Sequence, residues 1–200
     1  ILLCHWDGTD NSWFNFFFGI FNKGISYFTK SEYNHSAIIV KDPDFTPTPQ
    51  KGLFVLESSY ENFPDVEDGE YKLGVELEEF DKFIERYEGQ VWWRKLTCER
   101  NTDFDEKLKK IHSVVHNREY DITPTDWIKA YLQLNKGDTQ NTKRFWCSAL
   151  VSYIYTKWGF LASDTPWTIV YPKQLGTETY KNNEDLKFIN CKLDKEVQIK

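Results

Sequence analysis

The chain reads as one α+β domain, with a mostly antiparallel sheet and helices to one side. Three observations predict this. Short apolar or β-branched runs at 36–40, 53–57 and 91–96 are separated by Pro, Gly and polar residues, as buried strands are. Two later segments carry helical periodicity, one opening on acidic residues near Asp103 and one on Cys147. The 200 residues contain no internal repeat and no shift in composition, so 1–200 is read as a single domain.

In chain order, the apolar run 1–6 predicts a first strand, and 7–12 is turn chemistry. Residues 13–21 are crowded with Phe and Trp and predict a buried helix capped by Ser12. That segment has no Lys or Arg, so contact with a membrane surface is not indicated. His35 stands directly before the strand 36–40, and Pro43, Pro47 and Pro49 then force a loop through Gly52. The strand 53–57 ends on Glu57, a polar loop runs from 60 to 74, and 75–77 is a short strand. Residues 78–87 predict an acidic amphipathic helix using Phe80, Phe83 and Ile84, followed by a strand at 91–96. Thr102 can cap a helix with Asp103, Asp105 and Glu106 in its first turn and Phe104, Leu108, Ile111 and Val115 on one face. Pro124 marks a second helix start, with Trp127, Ile128, Tyr131 and Leu132 as its apolar stripe. A polar loop at 135–142 precedes the Cys147 helix, which Gly159 stops. The tail is punctuated by Pro166, Pro172 and Gly176, and 186–191 alternates as a last strand.

Composition narrows the function. The net charge of −6 and pI near 5.3 argue against nucleic acid as a partner, because phosphate binding needs clustered Lys and Arg. The mean hydropathy of −0.62 and the lack of any long apolar run predict a soluble globular protein. With 8 Trp, 11 Tyr and 15 Phe, the chain is suited to a dense core or a pocket for an apolar group. Cys4, Cys98, Cys147 and Cys191 are scattered without a C-x-x-C pair, which excludes the usual zinc-knuckle and thioredoxin-like spacings and gives no disulfide framework. The chain has no Met and opens at Ile1, so its natural start is expected upstream. The scattered cysteines favour a reducing cytosol, and a processed secreted chain is the alternative.

Chemistry concentrates on Cys147. At a helix start, unpaired N–H groups and the positive end of the dipole favour a thiolate, the nucleophilic form of cysteine. Free cysteines are also commonly buried as packing residues, so a base must be found before the nucleophile reading prevails. His35, at the mouth of a core strand, is held rigidly enough to serve, and Glu57 on the next strand could orient its imidazole. A surface charge at a strand end competes as the reading of Glu57. His112 and His116 share a helix face, but His-Ser-Val-Val-His lacks the glutamate of a metalloprotease motif, and no third ligand is near in sequence. They read as a solvated helix flank, with no metal site expected. His5, beside Cys4, has no further support.

Ser31-Glu-Tyr-Asn-His35, Val55-Leu-Glu57, Tyr120-Asp121, Cys147-Ser-Ala-Leu-Val151 and Tyr171-Pro172 occur in the order in which they stand in the circularly permuted branch of the NlpC-type cysteine hydrolases. The chain resembles that papain-like branch, in which the histidine precedes the cysteine. It departs at the start, where Cys4-His5-Trp6-Asp7 stands in place of a basic loop. The resemblance implies a permuted papain-like fold with Cys147 as nucleophile, His35 as base, Glu57 as orienting residue and Tyr120 near the site. Trp6, Tyr33 and Trp146 join Tyr120 as candidate substrate-binding residues. The implied activity is a cysteine hydrolase or acyltransferase, acting on a peptide, amide or acyl-lipid substrate and needing no cofactor. The family includes cell-wall peptidases, amidases, and acyltransferases or lipases related to lecithin retinol acyltransferase. The rival expectation is a catalytically silent binding or structural module that keeps the fold.

Overall fold

A computed structural model describes residues 1–6, 33–59, 63–101, 103–121, 142–177 and 186–200. The expected helices at 13–21 and after Pro124, the Thr102 cap and most of the 135–142 loop lie outside these residues. The structure is mixed α+β. An eight-stranded sheet has the order β10 (Val197–Gln198), β5 (Gln90–Trp93), β1 (Leu2–His5), β2 (His35–Lys41), β3 (Leu53–Ser59), β4 (Gly74–Glu79), β7 (Glu119–Tyr120) and β8 (Arg144–Phe145). Every pairing in it is antiparallel except β7 with β8. A separate ribbon joins β6 (Leu96–Cys98) to β9 (Cys191–Leu193).

The described helices are α1 (Phe80–Arg86), α2 (Asp103–Val115) and α3 (Cys147–Trp158). They do not lie to one side as the sequence suggested. Alternation along the strands divides the core in two. Leu3, Ile38, Val40, Phe54, Leu56, Val75 and Leu77 pack with α2 and α3 on one face. Leu2, Cys4, Ala37, Val55 and Val91 pack with Phe83 and Tyr87, on and beside α1, on the other. Every residue of α3 except Lys157 is buried, which explains its apolar sequence on nearly all sides. Leu150 is fully buried, so Leu150→Ala costs about 2–5 kcal/mol. Gly159 ends the helix in the left-handed conformation (φ 85°), which a side chain would disfavour.

Several boundaries differ from the sequence reading. Glu78 and Glu79 belong to β4, not to a helix, and α1 is correspondingly short. β3 runs on through Ser59, so Glu57 lies inside the strand instead of at its end. The expected strand 91–96 is broken at Arg94. Its guanidinium turns inward to the carbonyls of Leu175 and Asp194 (2.9 Å to the latter), and its own carbonyl accepts from the Ile1 backbone nitrogen at 2.9 Å. The last ribbon strand is β9 at Cys191–Leu193, and only an isolated bridge at Phe188 pairs within 186–190. All four cysteines are free thiols, and Cys98 faces Cys191 across the ribbon. No described helix is long and apolar enough to cross a membrane.

Candidate active site

The first turn of α3 is anchored by side chains of its own sequence. Ser148 Oγ donates to the Val170 carbonyl at 2.7 Å, and Trp146 Nε1 donates to the same oxygen at 3.2 Å. Ser58 Oγ on β3 donates to the Phe145 carbonyl at 2.7 Å, tying the segment before Cys147 to the central sheet. The rim of β1 and β2 is clamped by Asn34. Its N–H donates to the Cys4 carbonyl at 2.9 Å, and its amide exchanges hydrogen bonds with the Trp6 backbone at 2.9 and 3.1 Å. These contacts fix the residue before His35 and the turn that carries Cys147.

Glu57 and His35 lie on the sheet face that α1 covers, one diagonal step apart on adjacent strands. His35 Nε2 is 2.6 Å from Glu57 Oε2. The same imidazole interacts with the Cys147 side chain through hydrogen bonding and charge. The sulfur also receives the backbone N–H groups of Ser36 and Ser148. Behind Glu57, Arg86 Nη2 donates to Oε1 at 3.3 Å, and Arg86 also grips Glu78 through Nε at 2.8 and 3.0 Å. The Glu57 side chain is 1% exposed, which rules out a surface charge.

Electrostatics follow from these contacts. Burial alone would strip the His35 proton, but the hydrogen bonds and charges of Cys147 and Glu57 prevail and push its pKa up to about 10. Burial likewise opposes a charged Cys147, yet the His35 hydrogen bond and charge and the two backbone N–H groups bring the thiol below its ordinary range. Glu57 is lowered too, because His35 and Arg86 outweigh its burial. The arrangement therefore favours a thiolate–imidazolium pair backed by a carboxylate. Cys4, whose Cα partner is His35, goes the other way. Burial first, then the charges of Glu57 and Cys147, drive its thiol well up, so it stays protonated beside the thiolate.

The structure thus brings together Cys147, His35 and Glu57, from elements far apart in sequence. The other candidates are placed differently. Trp6 is half-buried at the rim, its backbone held by Asn34. Tyr120 is the register partner of Phe145, two residues ahead of Cys147, and is buried. Trp146 caps α3 and spends its indole N–H on Val170. Tyr33 packs in the larger core, edge-on to Trp92 at 5.2 Å. Arg86, Asn34, Ser36 and Ser148 were missed. Arg86 had a signal: Glu76 and Glu78 alternate along one strand face, and a buried row of carboxylates calls for a cation. The solvated-flank reading of His112 and His116 fails, because His112 is buried and Glu67 meets both rings.

No protein-family model, curated protein or solved structure matches this chain.

Proposed function

We propose that the chain is a cysteine hydrolase or acyltransferase that opens an amide or ester through a Cys147 thioacyl intermediate, on a permuted papain-like fold. The observation that carries this reading is the single imidazole shared between Cys147 and Glu57, with Glu57 at 2.6 Å. The chain order supports it as well: histidine strand, carboxylate strand, then a cysteine helix packed on both.

In the proposed cycle, the Cys147 thiolate attacks the substrate carbonyl and its electron pair moves onto oxygen. The Cys147 N–H, at the start of α3 and outside the helical ladder, stabilises that oxyanion. Collapse expels the amine or alcohol, which takes the proton held by His35. A water or acceptor alcohol then gives its proton to His35 and attacks the thioester, releasing the acyl product and restoring the ion pair. Glu57 keeps the ring oriented and its charged form stable throughout. The aromatic sequence at 13–28 inclines the substrate toward an acyl-bearing molecule.

A panel of lipid esters, short acyl-amides and peptidoglycan-type peptides tests the reading, with intact-mass detection of an acyl group on the protein. Turnover and an acyl adduct that both vanish in Cys147→Ala support it, and full activity in that variant contradicts it. A silent binding module has one observation in its favour, the burial of Cys147 at 6% exposure. On that reading no panel member leaves an adduct.

A further inference from the structure

Away from Cys147, helix α2 presents His112 and His116 one turn apart, and both rings converge on one oxygen of Glu67. His112 Nε2 lies 2.9 Å and His116 Nδ1 3.1 Å from Glu67 Oε2, and one donor atom from each residue falls within 4.8 Å of the others. The cluster is built into the fold. Phe45 stacks on the His112 ring at 4.1 Å between centroids, which fixes its orientation. Glu67 sits on a turn shaped by Asp65, whose Oδ1 accepts the Glu67 N–H at 2.8 Å and whose carbonyl accepts the Gly69 N–H at 2.7 Å.

The charge balance of this cluster is incomplete. The Glu67 side chain is only 3% exposed, and its side-chain partners among the described residues are the two imidazoles, neither of which is a permanent cation. Lys72, close in sequence, is taken by Asp65 and Asp68 at 2.6 Å each. A buried carboxylate facing two imidazole nitrogens is a donor set that a metal ion would complete.

We propose that Glu67, His112 and His116 form a binding site for a divalent transition-metal ion, with Zn²⁺ as the best match. Two imidazole nitrogens and one carboxylate oxygen suit Zn²⁺, whereas Ca²⁺ and Mg²⁺ prefer oxygen donors throughout. Tetrahedral bonds of about 2.0–2.1 Å set neighbouring donors roughly 3.3 Å apart. The two short contacts need to open by a few tenths of an ångström, and the two imidazole nitrogens, within 4.8 Å, need to draw together. His116 can supply that movement, since its side chain is 31% exposed. Its open side leaves the fourth position to water. The ion would pin α2 to the turn ahead of β4, and the site shares no residue with the Cys147 cluster.

The test uses the full chain carrying Cys147→Ala, because the thiolate and His35 could themselves capture zinc. After chelation and buffer exchange, Zn²⁺ is titrated by calorimetry, and melting is followed with and without the metal. One Zn²⁺ per chain is expected, with a melting temperature raised by about 5 °C at a hundredfold excess over Kd. Co²⁺ should give visible bands without the near-ultraviolet absorption of a thiolate–metal bond. His116→Ala removes an exposed ligand, and Glu67→Gln keeps the shape without the charge. Each should weaken Zn²⁺ binding about tenfold or more. Absence of binding, unchanged affinity in both variants, or a thiolate band would overturn the proposal.

Discussion

His35 and His112 each meet a buried carboxylate, Glu57 at 2.6 Å and Glu67 at 2.9 Å, yet what lies around the two pairs differs. Glu57 has Arg86 behind it, and His35 has a thiol in front. Arg86 helps to keep the carboxylate ionised, and that charge favours the imidazole holding a proton taken from sulfur. Among the described residues Glu67 has no arginine partner, and a second imidazole stands in place of the thiol. A histidine–carboxylate pair is therefore only a frame, and the third group decides whether it activates a nucleophile or holds a cation.

The largest expected effect separates the two clusters outright. Cys147→Ala should reduce turnover to background in the substrate panel, while Glu67→Gln leaves the Cys147 reactivity at the wild-type level. Comparable losses from both variants would mean that the clusters are coupled.

Stability should follow next. Arg86→Met leaves Glu57 and Glu78 buried without their shared cation, at a cost of about 3–5 kcal/mol in urea unfolding. The metal-free His112→Ala variant loses one hydrogen bond and the Phe45 stack, a smaller cost of about 1–3 kcal/mol. The reverse ranking would show that the arginine does not balance the acid row.

Glu57→Gln keeps a hydrogen-bond acceptor near His35 but removes the charge that holds its proton. Alkylation of Cys147 at pH 6 should slow by roughly 10²-fold, within the usual range of acid–base assistance. An unchanged rate would leave Glu57 a packing role only.

The smallest effect concerns pH. Relative to ordinary values of 6.5 and 9.0, His35 is raised to about 10 and Cys147 is lowered. His35, raised, contributes stability that is fully present below pH 6.5 and is lost as pH rises from 6.5 through about 10, while Cys147, lowered, works in the opposite sense up to 9.0, so the loss is unopposed between 9.0 and about 10. Glu76 adds a further slope in this range. Burial first, and then the Glu57 charge, raise it from 4.5 to about 9, so it costs stability increasingly as pH climbs between those values. Its Oε2 has no partner among the described residues, consistent with a neutral acid. Glu76→Gln should lessen the fall in melting temperature between pH 6.5 and 9, with His35 and Glu78, the latter raised to about 8, supplying the remainder, and an undiminished slope would place its origin elsewhere.

Much of the frame was legible because local signals and burial agree. The strands around Ile38 and Val55 and the apolar helix after Cys147 announce themselves by β-branching, periodicity and the Gly159 stop. Cys147, His35 and Glu57 were legible as residue types at element ends, although Glu57 proved interior to its strand. Glu78 was misread because an acidic residue ahead of Phe80 fits a helix start as well as a strand whose buried face is acidic. Arg86 escaped because its partners arrive from other strands. Glu67 escaped because 45 residues separate it from His112, and spacing along a chain carries no trace of that meeting.

The most direct test is site-resolved iodoacetamide labelling against pH, in the wild type, His35→Ala and Glu67→Gln. The His35-activated thiolate predicts that Cys147 labels rapidly below pH 7, well ahead of Cys4, Cys98 and Cys191, that His35→Ala abolishes the lead, and that Glu67→Gln preserves it. Labelling of Cys147 no faster than that of the other three, or a lead that survives in His35→Ala, would contradict it.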